Sequence, residues 1–367
     1  MENEYKIVDS RDITCFKKST FSKYKKTEVF SILFKSIESN KVENACNWII
    51  ECILSGYTLE IWEKLIIFSS KVITINNPFI PIILYDKHLF FTNYIKSYNI
   101  SKYNNNILLL RNDTTIRNLF IFIVTILCAS SKTNRYDKYP NIKLDDFNMT
   151  NVESRLNATM NLLPSNFIKF NEPEELKIIF NEFYFHLKNK IGGYEKAMYW
   201  IIWLFEWESK NKKLGTWNIE SRNIENISKK CQHNSIWIAW NIILLEANSR
   251  SPIILQIIQS LYNQYKHGFT TGKMKSRLPL LYSSICYLTH IIDIDIPIIS
   301  DMETIIKTQC SINMMFKLKK NNEDKIDIKY ELSKPEKKIS KKKIDSKKEI
   351  CLDKLSLFND LDPISNI

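Results

Sequence analysis

Between Lys26 and Pro78, three consecutive sets of apolar residues repeat at intervals of three and four. Spacing of this kind places the members of each set on one face of an α-helix. Ser39-Asn40 and Ser55-Gly56 separate the sets, and a glycine after a helix readily takes the left-handed conformation that ends it. The sequence therefore predicts three short-linked antiparallel helices. Their inward-facing residues are Val29, Phe30, Leu33, Phe34 and Ile37, then Ala45, Cys46, Trp48, Ile49, Cys52 and Ile53, then Leu59, Trp62, Leu65, Ile66 and Ile73.

Helical periodicity recurs over most of the 367 residues, and the alternation typical of strands is nearly absent. Residues 131–150 have neither a helical period nor helix caps and predict a linker or long loop. We therefore expect an all-α fold with two helical halves, residues 26–130 and 151–316, arranged as a bundle or a solenoid-like stack. Residues 1–25 are predicted to form a flexible arm, and residues 317–367 a disordered lysine-rich tail.

Scattered residues of the first segment match a pattern known from one protein family: Lys35, Ser36, Ile37, Ala45, Trp48, Gly56, Phe68, Ser69 and Pro78. With them, residues 26–78 resemble the C-terminal helical region of clamp-loader-like ATPases of the replication-associated recombination type. In that family the region is an oligomerisation collar. The resemblance thus implies self-assembly in a replication, recombination or repair setting, with Phe34, Trp48 and Trp62 as interface residues. The chain departs from the family in lacking its nucleotide-binding motifs and in having no glycine from Ile73 to Asn77.

The composition is rich in isoleucine, asparagine and lysine, and the helical segments are rich in tryptophan. In this respect the chain is similar to uncharacterised proteins of large DNA viruses with AT-rich genomes, which implies a viral origin but no mechanism. The formal net charge of +12 and the pI of about 9.1 favour an anionic partner such as nucleic acid. The alternative is that an AT-rich genome supplies the lysines and the charge binds nothing.

The eight cysteines form no C-x-x-C pair and no cluster with zinc-ligand spacing, and most lie in apolar helical runs. We therefore expect free thiols in a reducing intracellular setting, which is the cytoplasm, the nucleus or a virus factory. The polar N-terminus is not a secretory signal. Residues 116–129, the most apolar run, are too short to cross a bilayer, so we expect a buried helix and no membrane partner.

Sequence motifs of the common enzyme classes do not occur in the chain. There is no phosphate loop, no dinucleotide-binding fingerprint, no nucleophile elbow and no H-E-x-x-H. We predict a non-catalytic protein with no cofactor and no metal, which neither binds nor hydrolyses ATP. An active site of an unfamiliar type is the alternative.

Two groups of tryptophans recur at helical spacing: Trp200, Trp203 and Trp207, and then Trp237 and Trp240. Stacked indoles can hold single-stranded bases when basic residues stand among them. Isoleucine, leucine and phenylalanine flank these tryptophans instead of arginine. The sequence therefore favours a core position for both groups.

A basic loop at residues 262–277 is the best candidate for binding nucleic acid in the helical region. It carries Lys266, Lys273, Lys275 and Arg277 just before a predicted helix, a position suited to phosphate, and Tyr265 and Phe269 as rings that can stack on a base. The predicted tail adds eight lysines in residues 334–348, including Lys341, Lys342 and Lys343. The alternative is an ordinary solvated loop and a solubilising tail.

Residues 350–367 combine leucines and a phenylalanine with aspartates, as short peptides that dock on a protein partner do. Two functions follow from the sequence. The first is a non-catalytic assembly or adaptor protein of DNA replication, recombination or repair that binds nucleic acid through the basic loop and tail. The second is a structural or host-interaction protein built on helical repeats, with no role in nucleic-acid binding.

Overall fold

A computed structural model of the chain describes residues 4–133, 140–299 and 301–324. Within these ranges the secondary structure is helical, and the only β-type pairing is an isolated antiparallel bridge between Ser19 and Lys25. The predicted all-α fold is confirmed. The α-helices are α1 (Lys26–Glu38), α2 (Val42–Leu54), α3 (Thr58–Val72), α4 (Ile80–Tyr94), α5 (Thr114–Ala129), α6 (Met149–Glu153), α7 (Glu175–Lys188), α8 (Gly193–Leu214), α9 (Ile236–Asn248), α10 (Pro252–Lys266), α11 (Met274–Thr289) and α12 (Met302–Lys319).

The three helices predicted between Lys26 and Pro78 are α1, α2 and α3. Asn40 and Gly56 take positive φ angles of 58° and 75° in the turns that separate them. A Cβ atom at Gly56 would lie 2.8 Å from Cδ1 of Ile13 and 3.0 Å from Cδ2 of Leu108, so these two side chains would have to move. The positive φ angle is therefore the main reason for glycine at this turn.

The chain divides into two compact units. The described residues of unit 1 are 4–63, 87–130, 299 and 301–324, and those of unit 2 are 64–86, 131–133 and 140–298. This division differs from the consecutive halves expected from the sequence, because α12 packs against α2 and α5 in unit 1. Unit 1 is thus built from three separate stretches of sequence.

Unit 1 has its core among α1, α2, α5 and α12. Trp62 lies at its centre, with its ring centroid 5.6 Å from that of Phe91 and 5.4 Å from that of Phe120. Helix α5 is buried along almost its whole length, as expected for residues 116–129. Among the described residues no single helix is both long and apolar enough to span a bilayer; the 3₁₀ segment Asn104–Asn112 and α5 meet the criteria only together and are bent by 79°.

Residues 4–25, part of the expected flexible arm, pack into unit 1. Phe16 and Phe21 are buried, with 1% and 0% of their surface exposed. The Arg11 guanidinium lies 5.1 Å and 4.8 Å from the centroids of these two rings and donates a hydrogen bond to the Phe21 carbonyl at 2.9 Å. Two buried phenylalanines and a cation over them explain why this segment is ordered despite its polar composition.

The end of α12 is held in unit 1 by a buried ion pair. Lys319 donates to Glu51 at 2.9 Å, and the backbone N–H and hydroxyl of Ser22 donate to the same carboxylate at 2.6 Å and 2.8 Å. The Arg117 guanidinium stacks 3.8 Å from the ring centroid of Phe316. Residues 317–324, which the sequence assigned to the tail, therefore belong to the folded unit, because Lys319 neutralises a carboxylate that is fully buried.

Unit 2 is built from α7 to α11, with α7 packed on α8 and α9, and α11 packed on α8, α9 and α10. Trp200, Trp203, Trp237 and Trp240 are all buried with at most 2% exposure. Trp203 also donates from Nε1 to the Asp146 carbonyl at 2.7 Å. The core position predicted for both tryptophan groups is confirmed, except that Trp207 is only half-buried.

The described cysteines are free thiols. Those at positions 46, 52, 128, 231 and 286 are buried, as the sequence predicts for thiols in apolar runs, and Cys15 and Cys310 are exposed. Burial raises the pKa of Cys46 to about 12, so this thiol stays protonated and behaves as a small apolar side chain.

The ion pair between Glu51 and Lys319 generates the first prediction. Glu51→Gln leaves the Lys319 ammonium buried without a countercharge, so we expect the free energy of unfolding to fall by about 3–5 kcal/mol. Urea denaturation followed by circular dichroism measures this loss. The matched control is Glu28→Gln, which removes the exposed partner of Lys25 and is expected to change stability by at most about 1 kcal/mol.

The same pair gives a dependence on pH. Burial acts to raise the pKa of Glu51, but Lys319 and the hydrogen bonds from Ser22 outweigh burial and lower it. A lowered pKa in the folded state contributes stability above the unfolded value of about 4.3, which is lost as pH falls through the folded value. The difference between wild type and Glu51→Gln should therefore shrink in acid; a constant difference from pH 7 to pH 3 would contradict this assignment.

Candidate functional site

The aromatic residues of the predicted basic loop lie in the core of unit 2. Tyr265 is fully buried and Phe269 is 6% exposed. The ring of Trp237 lies 5.8 Å from Tyr265 and 4.8 Å from Phe269 between centroids, and burial raises the pKa of the Tyr265 phenol. Neither loop ring is open to a base, so the stacking role expected from the sequence does not fit this structure.

The basic residues of the loop separate into structural and exposed side chains. Arg277 is buried, and its Nη1 donates to the carbonyls of Tyr265 and His267 at 2.7 Å each, which joins α11 to the end of α10. Lys266 lies with its Nζ 4.6 Å from the ring centroid of Tyr262. Lys273 is half-buried and Lys275 is exposed. Lys275 is thus the loop cation most open to a ligand.

Two adjoining cavities in unit 2 meet at this loop. The larger has a volume of about 680 Å³ and an apolar wall that includes Ile202, Phe205, Leu278 and Tyr282. The smaller has a volume of about 370 Å³. Both are lined by three shared residues, so they adjoin; we call the two cavities together the groove, whose larger part is mainly apolar and whose smaller part is of mixed character. The shared residues are Lys212, Asn234 and Thr271.

A buried carboxylate anchors the polar floor of the groove. Glu208, which is 3% exposed, pairs with Lys212 and accepts hydrogen bonds from the N–H and hydroxyl of Ser235. The Lys212 ammonium also donates to Oδ1 of Asn234 at 2.8 Å. Because Glu208 and Asn234 fix this ammonium, Lys212 is a preorganised cation at the junction of the two cavities.

A lysine and a histidine stand at the smaller cavity. Lys230 and His233 line it, and both are exposed. His233 contacts the Ile219 carbonyl through Nδ1 at 2.9 Å; since a carbonyl only accepts, Nδ1 carries the hydrogen and the neutral ring keeps Nε2 as an acceptor. The 3₁₀ turn that carries Lys230 is fixed through Cys231, whose carbonyl accepts from Asn234 Nδ2 and Trp237 Nε1 at 2.7 Å each.

A tryptophan side chain also lines the groove, in its smaller cavity. Trp217 is half-buried, lines the smaller cavity and packs edge-on against Trp207 with 5.2 Å between ring centroids. Its neighbour Trp207 in turn stacks on the buried Trp203 at 5.7 Å. A chain of indoles therefore runs from the core of unit 2 to the wall of the groove.

The residues expected at an oligomer interface lie in unit 1. Trp48 and Trp62 are buried, with 2% and 1% exposure, so neither is available to a second copy. Trp48 packs against Tyr24 with 5.4 Å between centroids. Phe34 is half-buried and is the one residue of the three that still borders the surface. The lysines expected in the tail, Lys341, Lys342 and Lys343, lie outside the described residues.

Comparison of the chain with family models, curated proteins and solved structures gave no significant match. Among the residues that the structure describes, no group of three or more histidine, cysteine, aspartate or glutamate side chains is placed to hold a metal ion. The chemistry of the groove therefore has to be argued from its own residues.

Sequence reasoning found part of this groove and missed the rest. It selected the loop with Lys275, whereas Lys212, Lys230, His233 and Trp217 come from helix and loop positions far from it in sequence. The spacing of Glu208 and Lys212, four apart on one helix, is a signal of a side-chain pair. No feature of the sequence indicates that this pair faces residues 271–275.

The two kinds of loop cation generate the second prediction. Arg277→Gln leaves two carbonyls near the end of α10 with poorer partners, so we expect the free energy of unfolding to fall by about 1–3 kcal/mol. Lys275→Gln removes an exposed charge and should change stability by at most about 0.5 kcal/mol. Urea denaturation of both variants tests this, and equal losses would show that Arg277 has no special structural role.

Proposed function

We propose that this protein binds single-stranded nucleic acid in the groove of unit 2, as a non-catalytic adaptor. The observation that carries the proposal is the direct junction of a cation-lined cavity with an apolar one. A nucleotide has the matching parts, an anionic phosphate and a base with an apolar face. Phosphate is assigned to the cations at Lys212, Lys230 and Lys275, and the base to the apolar wall.

The charges of the groove support an anion of modest size. Lys212 is balanced by Glu208, and Glu206 also lines the larger cavity. With the exposed Lys230 and Lys275, the lining has three lysines against two glutamates, a net charge of +1. A few phosphates therefore fit the groove better than a long stretch of duplex, whose binding needs many cations along one face.

The assembly role implied by the clamp-loader resemblance stays a prediction, as do the replication setting and a viral origin. An oligomer through residues 26–78 would have to use surface residues of α1 to α3, because Trp48 and Trp62 are buried. Phe34 is the expected interface residue that such a surface could include.

The third prediction concerns charge. In the full-length protein, Lys230→Gln combined with Lys275→Gln should weaken binding of a fluorescein-labelled oligothymidine and flatten the slope of log K against log salt. Each single-strand phosphate contributes about 0.7 to that slope, so the loss of two contacts should reduce it by about 1.4. Fluorescence anisotropy from about 50 mM salt upward measures both quantities.

A matched control removes the same charge from the same unit. Lys177→Gln combined with Lys190→Gln changes two exposed lysines that do not line the groove. The control should leave the slope and the affinity nearly unchanged. Equal effects of the two pairs would mean that only overall charge matters, and no measurable affinity at low salt would favour the protein-interaction function.

The fourth prediction concerns the apolar cavity. Leu278→Trp fills space beside Phe205 and Tyr282, where we place the base. Base stacking contributes about 1–3 kcal/mol per base, so the affinity should fall about tenfold while the salt slope stays the same. Anisotropy at several salt concentrations separates the two effects. An unchanged affinity with an intact fold would show that the base does not bind in this cavity.

A further inference from the structure

Helix α12 has two faces of different character. One packs in unit 1 and carries Ile305, Ile312, Met315 and Phe316. The opposite face exposes four large apolar side chains: Met302 at 52%, Ile306 at 56%, Met314 at 45% and Leu318 at 40%. Cys310, also exposed, lies midway between Ile306 and Met314.

These five residues, which we call the α12 stripe, follow one another at intervals of four. Residues four apart are neighbours on a helix surface, so the five side chains form one continuous row about 24 Å long. Single exposed apolar residues are normal on protein surfaces, whereas a contiguous row marks an interaction site. Lys307 and Lys317 are exposed beside the row; Lys317 pairs with Glu4, and one acidic residue, Glu303, is exposed beside the row as well.

We propose that the α12 stripe binds residues 350–362 of the same chain. These residues lie outside the described ranges, and their sequence has the complementary composition. Leu352, Leu355, Phe358 and Leu361 recur every third residue, so each would be a surface neighbour of the next if the segment folds as a helix on the stripe. Asp353, Asp360 and Asp362 supply negative charge for the lysines that flank the stripe.

The connection between the two segments has a suitable length. The described chain ends at residue 324, directly after the 3₁₀ turn that follows α12. Residues 325–349 then precede residue 350, and 25 residues can extend to at most about 80–90 Å, far more than the length of the stripe. The segment is therefore tethered within reach of its site, at an effective concentration in about the millimolar range. Intramolecular binding is therefore favoured over binding of a second copy at ordinary protein concentrations.

Two cysteines make the proposal testable in the full-length chain. Cys310 lies in the middle of the stripe, and Cys351 adjoins Leu352. In a Cys15→Ser background, the other described cysteines are buried. Mild oxidation with oxidised glutathione should then form a Cys310–Cys351 disulfide within one chain, at a rate independent of protein concentration. Non-reducing electrophoresis and peptide mass mapping detect it.

Substitutions in the proposed segment provide the decisive comparison. Leu355→Asp with Phe358→Asp should slow formation of this disulfide at least tenfold. The matched control, Ser356→Asp with Asn359→Asp, adds the same charge without removing an apolar residue and should keep the rate within about twofold of the parent chain. A parent rate no faster than that of the Leu355→Asp, Phe358→Asp chain would overturn the proposal. A disulfide-linked dimer whose rate rises with concentration would also overturn it and assign the stripe to a second copy.

Alkylation of Cys310 gives an independent measurement that needs no disulfide. In full-length protein carrying Cys15→Ser and Cys351→Ser, a maleimide should react with Cys310 several-fold more slowly than in the same chain with Leu355→Asp and Phe358→Asp. Equal rates in the two proteins would show that residues 350–362 do not cover the stripe.

Discussion

The ion pair between Glu51 and Lys319 constrains unit 1 more than any other contact. The two residues are 268 positions apart, and both are buried. A buried carboxylate without a partner is so unfavourable that α2 tolerates Glu51 only if α12 delivers its lysine. Ser22 donates two hydrogen bonds to the same carboxylate, so the segment before α1 is held there as well. One charge in the last turn of α2 thereby connects three segments: the residues before α1, α2 and the end of α12.

Local pattern predicted the helices of this fold and long-range contacts decided their assembly. The apolar spacing in residues 26–73 was sufficient to place α1, α2 and α3, because each helix buries most of the face that its own sequence marks. The exceptions are Leu59, which is 47% exposed, and Phe34, which is half-buried. The segment around Arg11 has no such pattern. Its order depends on contacts of Phe16 and Phe21 with α2 and with the 3₁₀ segment near Leu108. The spacing of apolar residues in a sequence does not indicate contacts with segments so distant in sequence. The predicted start of the tail at residue 317 was wrong for the same reason. From the sequence alone Lys319 is indistinguishable from a solvated lysine, because its partner Glu51 is 268 positions away.

The groove of unit 2 shows the same division between what composition indicates and what tertiary structure decides. The basic loop was identified correctly as a place where cations and glycines gather, and Thr271, Gly272 and Lys275 do line the groove. Its rings were assigned to a ligand because aromatic residues beside lysines often stack on bases. In unit 2, however, Tyr265 and Phe269 pack against Trp237 in the core, so their rings are not exposed to a ligand. The tryptophan that lines the groove is Trp217, which precedes the loop by 45 positions.

Under the proposed function, the arrangement of charge and apolar surface in the groove would favour a single strand over a duplex. A duplex keeps its bases stacked and presents phosphates, so the apolar cavity beside Phe205 and Leu278 would contribute nothing to binding it. A single strand can turn a base into that cavity while its phosphate stays at Lys212. Glu208 strengthens this selection, because it fixes the Lys212 ammonium in place and at the same time reduces the positive field that would attract any polyanion. The affinity of such a groove for a single strand would come from the fit of one or two nucleotides more than from total charge. A substitution in the apolar wall should therefore reduce the preference for single-stranded over duplex nucleic acid more than a substitution of the lysines does.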